Sequence, residues 1–103
     1  MRQRLVKRPF DQERFDDALA LLKAVASEPR LEVMGLLIGR PDMEFSVTEL
    51  QEELGYLSQS ALSQHLARLR AVSAVNTTRE SQAIYYSVNE DSPVVEAIRG
   101  LLW

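Results

Sequence analysis

At 103 residues, 46% of them apolar, the chain is bounded to one small domain, residues 1–103, with a single modest core that a partner subunit would help to complete. Cysteine is absent, which excludes disulfides, thiolate metal sites and thiol-based redox chemistry. A formal charge of −3 argues at first against a nucleic-acid partner, because phosphate binding ordinarily shows as a basic excess.

The average hides an uneven distribution. Arg2, Arg4, Lys7 and Arg8 fall within the first nine residues with no acid among them, and between residues 58 and 88 Arg68, Arg70 and Arg79 stand against Glu80 alone. Asp42, Glu44, Glu49, Glu52 and Glu53, by contrast, crowd one short segment. A surface divided in this way can present a basic face to DNA while remaining acidic overall. The charged start lacks the apolar run of a signal peptide and no stretch is long enough to span a bilayer, so a soluble, cytoplasmic protein is expected.

Taken in chain order, Phe15, Leu19, Leu22 and Ala26 recur at helical spacing and predict a helix from about residue 11 to 26, with Leu21 and Val25 widening its apolar stripe. Ser27, Glu28 and Pro29 stop that helix and start a second, in which Leu31, Met34, Leu37 and Ile38 are apolar. Gly39, Arg40, Pro41 and Asp42 predict a loop. Ser46 and Glu49 then form a capping box, with Phe45 able to pack on Leu50 as a hydrophobic staple, ahead of a short helix over about residues 47–54. Gly55 ends it. Tyr56 and Leu57 separate it from Ser58, a second good N-cap, and Leu57 can staple onto Leu62. Two helices joined by a tight turn containing glycine form a helix-turn-helix. Residues 75–79 and 83–88, rich in β-branched and aromatic side chains and separated by Glu80, Ser81 and Gln82, predict a hairpin. Ser92 and Pro93 cap a last helix whose Val94, Val95, Ile98, Leu101 and Leu102 exceed what one small core needs.

The fourth of these helices carries the strongest functional signal. In LSQSALSQHLARLR, residues 57–70, Leu62, Leu66 and Leu69 occupy one narrow sector, while Ser60, Gln64 and Ala67 lie opposite, flanked by Ser63 and Arg68. A small, neutral, hydrogen-bonding face can enter the major groove without acidic repulsion. Gln amides pair with adenine N6 and N7, Ser serves several base edges, and Ala can lie against a thymine methyl. Arg68 and Arg70 are then left for phosphates, and the amides of the helix start can hold another. The competing reading of this helix alone is a solvated surface helix of low charge. A hairpin with Arg79 and Gln82 near its tip favours the first reading, because a helix-turn-helix followed by such a hairpin is a winged helix.

At this point the chain resembles the arsenic-repressor (ArsR) family of small dimeric winged-helix transcription repressors. The likeness runs from about Leu21 to Val88 through SEPRLEVMGLL, SVTELQEELG, LSQSALSQHLARLR and TTRESQAIYYSV, and the last helix fits as well. The resemblance implies a mainly helical winged helix-turn-helix with one small hairpin, in which the LSQSALSQHLARLR helix reads the operator. Gln59, Ser60, Ser63 and Gln64 would face bases, and Ser58, Arg68, Arg70, Arg79 and Gln82 the backbone or the wing contact. It further implies a homodimer through the first and last helices, which would place Phe15, Leu19, Leu22, Val95, Ile98 and Leu102 at the subunit interface.

The chain departs from the family at its sensing sites. The Cys-x-Cys pair with which many relatives bind metal is replaced by Ser46 and Thr48, neither a soft-metal ligand, and residues 92–103 contain no His. No metal or cofactor is therefore expected. The wording LSQSALSQHL looks most like the branch that senses persulfides or oxidants through two cysteines, whose positions correspond closely to Gly35 and Trp103 here. Without thiols that chemistry is excluded, and the effector is unknown: the chain responds to something else, binds DNA without an effector, or has lost an original cysteine.

His65, the sole histidine, borders the leucine stripe and is read as a half-buried packing or hydrogen-bonding residue rather than a ligand or sensor. Asp11, Glu13, Asp16 and Asp17 suit the dipole of a helix start better than a cation site. Neither a phosphate-binding loop nor a nucleophile signature is present, so no enzyme activity is expected. The function expected is sequence-specific DNA binding by a dimeric repressor on a palindromic operator. The alternatives are a winged-helix module that binds a protein through the acidic segment 42–53, and an activator that displaces a silencing protein from DNA.

Overall fold

The computed structural model describes residues 8–103, so the basic residues Arg2, Arg4 and Lys7 lie outside the described residues. The elements are α1 (Gln12–Val25), α2 (Glu28–Gly39), β1 (Phe45–Ser46), α3 (Val47–Glu53), α4 (Gln59–Ala71), β2 (Val75–Glu80), β3 (Ala83–Val88) and α5 (Pro93–Leu102). No helix among the described residues is long and apolar enough to cross a membrane.

Local capping chemistry explains where most helices begin. The Asp11, Ser27, Ser46 and Ser58 side chains accept the amides of Arg14, Arg30, Glu49 and Ala61 respectively, each satisfying one of the donors that a helix start leaves free. At α3 the box is complete, since the Glu49 carboxylate also accepts the Ser46 amide. Helix α5 departs from the expectation. Ser92 occupies the N-cap position, but its hydroxyl is buried and makes no hydrogen bond, and the turn is closed by the backbone, with the Val95 amide donating to the Ser92 carbonyl. Pro93 in the first turn needs no amide partner, which lessens the call on a side-chain cap.

Phe45 and Ser46 hold a second surprise. Beyond any stapling role, they form a short strand antiparallel to β3, Phe45 opposite Tyr86 and Ser46 opposite Tyr85, making a three-stranded sheet of order β1-β3-β2. Two residues are too few to show the alternation by which a strand is read from sequence. In the hairpin, Val75 pairs with Val88 and Glu80 with Ala83, so Glu80 belongs to β2 and the turn is only Ser81 and Gln82. Ser81 adopts φ 55, the left-handed conformation that a two-residue hairpin turn requires.

Helix α2 runs through the centre of the core with Val33, Met34, Leu37 and Ile38 buried. It is surrounded by Leu50 of α3, Leu62, Leu66 and Leu69 of α4, Tyr86 and Val88 of β3, and Val94, Val95 and Ile98 of α5. Burying each of these aliphatic side chains is worth about 1.5–3 kcal/mol relative to leaving it in water. Val95 and Ile98 therefore correct the sequence reading: at 0% and 3% exposure they fill this chain's own core and cannot form part of a surface between chains. A helical wheel shows which residues share a face, not whether that face meets the same chain or another. In contrast, α1 buries Val25 alone and leaves Phe15, Leu19 and Leu22 exposed.

Candidate nucleic-acid interface

The three buried leucines fix which side of α4 looks outward. Gln59, Ser60, Ser63, Gln64, Ala67 and Arg68 are all exposed, as are Ser58 and Arg70. Among the described residues, the side chains of Gln59, Ser60, Ser63 and Gln64 have no intramolecular hydrogen-bond partner, so their donors and acceptors are available to another molecule. Ser58 is partly engaged, its hydroxyl accepting the Ala61 amide, but it keeps a proton to donate. The Leu62 amide closes the first helical turn onto the Ser58 carbonyl, leaving the Gln59 and Ser60 amides directed out of the helix start.

The turn that aims α4 is held from several sides. Gln51 of α3 donates to the Leu57 carbonyl at 3.2 Å, and the Leu57 amide donates to the Leu54 carbonyl at 3.0 Å. The Tyr56 hydroxyl donates to the Glu32 carboxylate of α2. That bond holds the phenol proton, with help from local desolvation and the Glu32 and Glu28 charges, and pushes its pKa up to about 12.

His65, on the flank of α4, is half-buried, and its Nδ1 lies 3.1 Å from Nη1 of Arg30. A guanidinium only donates, so Nδ1 accepts and the ring is neutral with its proton on Nε2, an assignment made from the hydrogen-bond network. Burial, then the Arg30 charge, then the Arg68 charge lower its pKa from the ordinary 6.5. The expectation of a hydrogen-bonding histidine agrees with this geometry. Arg30 and Tyr56 were missed, since each acts on a residue 24 or more positions away and no spacing rule connects them.

The wing places Arg79 opposite Ile84 near the hairpin end, and Arg79 and Gln82 are exposed. Arg40 and Arg99 elsewhere are engaged by Glu53 and by Glu90 and Glu96. Among the described residues Arg68, Arg70 and Arg79 have no carboxylate partner, so their charge remains unneutralised. The acidic segment is less open than it reads in sequence, because Glu49 is used in the α3 cap and Glu53 by Arg40. Among the described residues no group of three or more His or acidic side chains is placed to hold a metal ion.

Away from this face, α1 and α5 border an open groove of about 820 Å³ lined by Phe10, Phe15, Leu21, Leu22, Pro93 and Val94. The Phe10 and Phe15 rings stack at 5.2 Å, and Leu22 is 55% exposed. At the end of α5, Leu102 is half exposed, and Leu101 and the following Trp103 stand out at 84% and 66%. At the positions close to those of the sensing cysteines, Gly35 faces Leu102, and Gly39, one turn on, faces the Trp103 ring.

No model of a protein family matches the chain. Individual proteins do. It is 48% identical over 85 residues to the transcriptional activator HlyU of Vibrio cholerae, covering 82% of this chain and 73% of that protein. It is 41% identical to the nodulation protein NolR of Rhizobium meliloti, covering 82% of this chain and 68% of that one. The solved structure of HlyU from V. cholerae superposes with a TM-score of 0.74 at 44% identity, over 89% of this chain and 94% of that one. The transcriptional repressor PagR of Bacillus anthracis gives 0.74 at 33% identity, over 90% and 100%. These relatives are transcription regulators built on a winged helix-turn-helix, not enzymes. With the same five helices and wing, and identities of this size over most of its length, the chain belongs to the ArsR/SmtB family of DNA-binding winged-helix transcriptional regulators.

Proposed function

We propose that residues 1–103 form one domain that works in the cytoplasm as a homodimeric repressor, reading a palindromic operator with α4. The observation that carries this reading is the outward face of α4, where Gln59, Ser60, Ser63 and Gln64 are exposed and unbonded beside arginines without carboxylate partners. Those four side chains read base edges. Arg68 and Arg70, the Ser58 hydroxyl and the two free amides of the helix start hold phosphates, and Arg79 and Gln82 of the wing contact the adjoining backbone.

The second subunit packs on the apolar surface that α1 and the end of α5 leave in water: Phe15, Leu19, Leu22 and Leu102, together with the likewise exposed Leu101 and Trp103. Several large apolar side chains left in water are what an interaction site requires. Twofold symmetry then sets two α4 helices in successive major grooves about 34 Å apart. A dimer across a promoter excludes polymerase, and the similar protein PagR is a transcriptional repressor. HlyU is named an activator, and activation by displacing a silencing protein is the second reading. The likeness of the α4 segment to the persulfide-sensing branch extends to its wording and not to its chemistry, since the chain has no cysteine.

The test is selection from a pool of random DNA duplexes with the purified protein. An enriched inverted repeat bound by two chains is the expected result. Absence of enrichment, or a half-site bound by one chain, removes the reading. A reporter driven through the enriched sequence then falls in output for a repressor and rises for an activator.

A further inference from the structure

Arg30, near the start of α2, touches two other helices. Its Nε donates to the Ala24 carbonyl at the end of α1, and its Nη1 donates to His65 Nδ1 of α4 at 3.1 Å. His65 immediately follows Ser63 and Gln64 on the outward face. The rest of the α4 seat is Leu62, Leu66 and Leu69, and apolar packing is not directional. A roll of about 10° about the helix axis moves an atom about 6 Å from that axis by about 1 Å, enough to spoil hydrogen bonds to base edges. The leucines and the bonds of the preceding turn fix which face looks outward, and the bond from Arg30 adds a directional contact on the helix itself that narrows the roll, because it is satisfied at one rotational setting of α4.

We propose that the Arg30–His65 contact sets the roll of α4 and with it the register of the base-reading face, which makes both of them positioning residues for DNA readout. The proposal rests on α4 being the recognition helix. Because the same guanidinium holds the last turn of α1, whose exposed apolar face is assigned to the subunit interface, it also links that interface to the orientation of α4. A displacement of α1 in one subunit is passed to the DNA-reading helix through one side chain rather than through the core.

The test compares wild type, His65→Leu and His65→Asn on the duplex enriched from the random pool and on a random duplex. With His65→Leu, preference for the enriched duplex falls about tenfold while affinity for random DNA is unchanged. Asn carries an oxygen acceptor close to the position of Nδ1, so His65→Asn recovers most of the preference. The wild-type preference also declines as pH falls below the ordinary histidine value and through the lowered one, because the protonated ring has no acceptor for Arg30, whereas His65→Leu shows no such decline. The charges acting on the ring are both cations, Arg30 from α2 and Arg68 from its own helix, and α1 contributes to this junction only the neutral Ala24 carbonyl. Extra positive charge near DNA would by itself strengthen binding to both duplexes, so a fall in preference is specific to positioning. A folded His65→Leu protein with wild-type preference overturns the proposal. Should that variant not fold, a wild-type preference that is flat with pH overturns it. Wild type showing no preference at all refutes the DNA-reading assignment instead.

Discussion

Ser46 and Glu49 cap α3 reciprocally: the Ser46 hydroxyl accepts the Glu49 amide at 3.1 Å, and the Glu49 carboxylate accepts the Ser46 amide at 2.8 Å. With only seven residues, α3 is far below the length at which a helix is stable alone. Ser46→Ala is expected to lower stability by about 1 kcal/mol. Since the two bonds share a geometry, Ser46→Ala combined with Glu49→Ala costs less than the sum of the single changes. Denaturant unfolding of the three variants checks this, and strictly additive losses would mean that the bonds form independently.

On the DNA side, Gln64→Ala or Ser63→Ala lowers discrimination by about 1–3 kcal/mol at the base pair each one reads. Binding is measured against the selected duplex and its single-base variants. Equal weakening on selected and random DNA would take that side chain off the bases.

Arg68→Ala and Arg79→Ala act differently, because a phosphate contact carries no sequence information. Each weakens binding to every sequence and reduces the slope of log affinity against log salt by about one unit. An unchanged slope would move that arginine away from the backbone.

The two halves of the expected interface separate by mutation. Leu22→Glu places a charge on a side chain that is 55% exposed, and it yields a folded monomer with weakened operator binding. Ile98→Ala removes buried volume from the chain's own core and costs about 2–5 kcal/mol of folding stability. Sedimentation and thermal unfolding distinguish the outcomes, and a Leu22→Glu protein that stays dimeric places the interface elsewhere.

The sign of the His65 linkage is also fixed. Its pKa is lowered from 6.5 in the folded chain, so in acid the unfolded chain binds the proton more readily. The contribution to stability is present above the ordinary histidine value and is lost as pH falls through the lowered one. Unfolding free energies measured across that window decline for wild type and lose this component in His65→Asn. A wild-type curve matching that of His65→Asn would show that the ring titrates alike in both states.

What the sequence made legible follows the range of each signal. Caps, glycine stops and apolar spacing act within one or two turns, and they located all five helices, the turn before α4 and the wing. The outward face of α4 was readable for the same reason, since Leu62, Leu66 and Leu69 fix its opposite by geometry alone. Strand β1 was not, having two residues and a partner some forty positions away. Nor were Arg30 on His65 or Tyr56 on Glu32, where pairing depends on how α2 crosses α4 and the turn before it. The assignment of Val95 and Ile98 failed because apolar surplus on α5 was divided between two neighbours, and only the packed chain shows which residues α2 takes.

Ser46 belongs at once to the sheet that ends in the wing and to the first turn of α3. The hairpin and the helix-turn-helix are consequently one frame, and in the proposed reading the protein would meet DNA as a calliper with a preset gap between its two jaws. Duplexes whose groove dimensions do not match that gap must bend or be refused, which lets shape contribute to selection at base pairs that no side chain reaches. Lengthening the hairpin at Ser81 and Gln82 would extend one jaw without opening the frame, whereas an insertion between Leu54 and Ser58 would change the gap itself. Divergence in reach among proteins built this way is therefore cheapest at the wing tip.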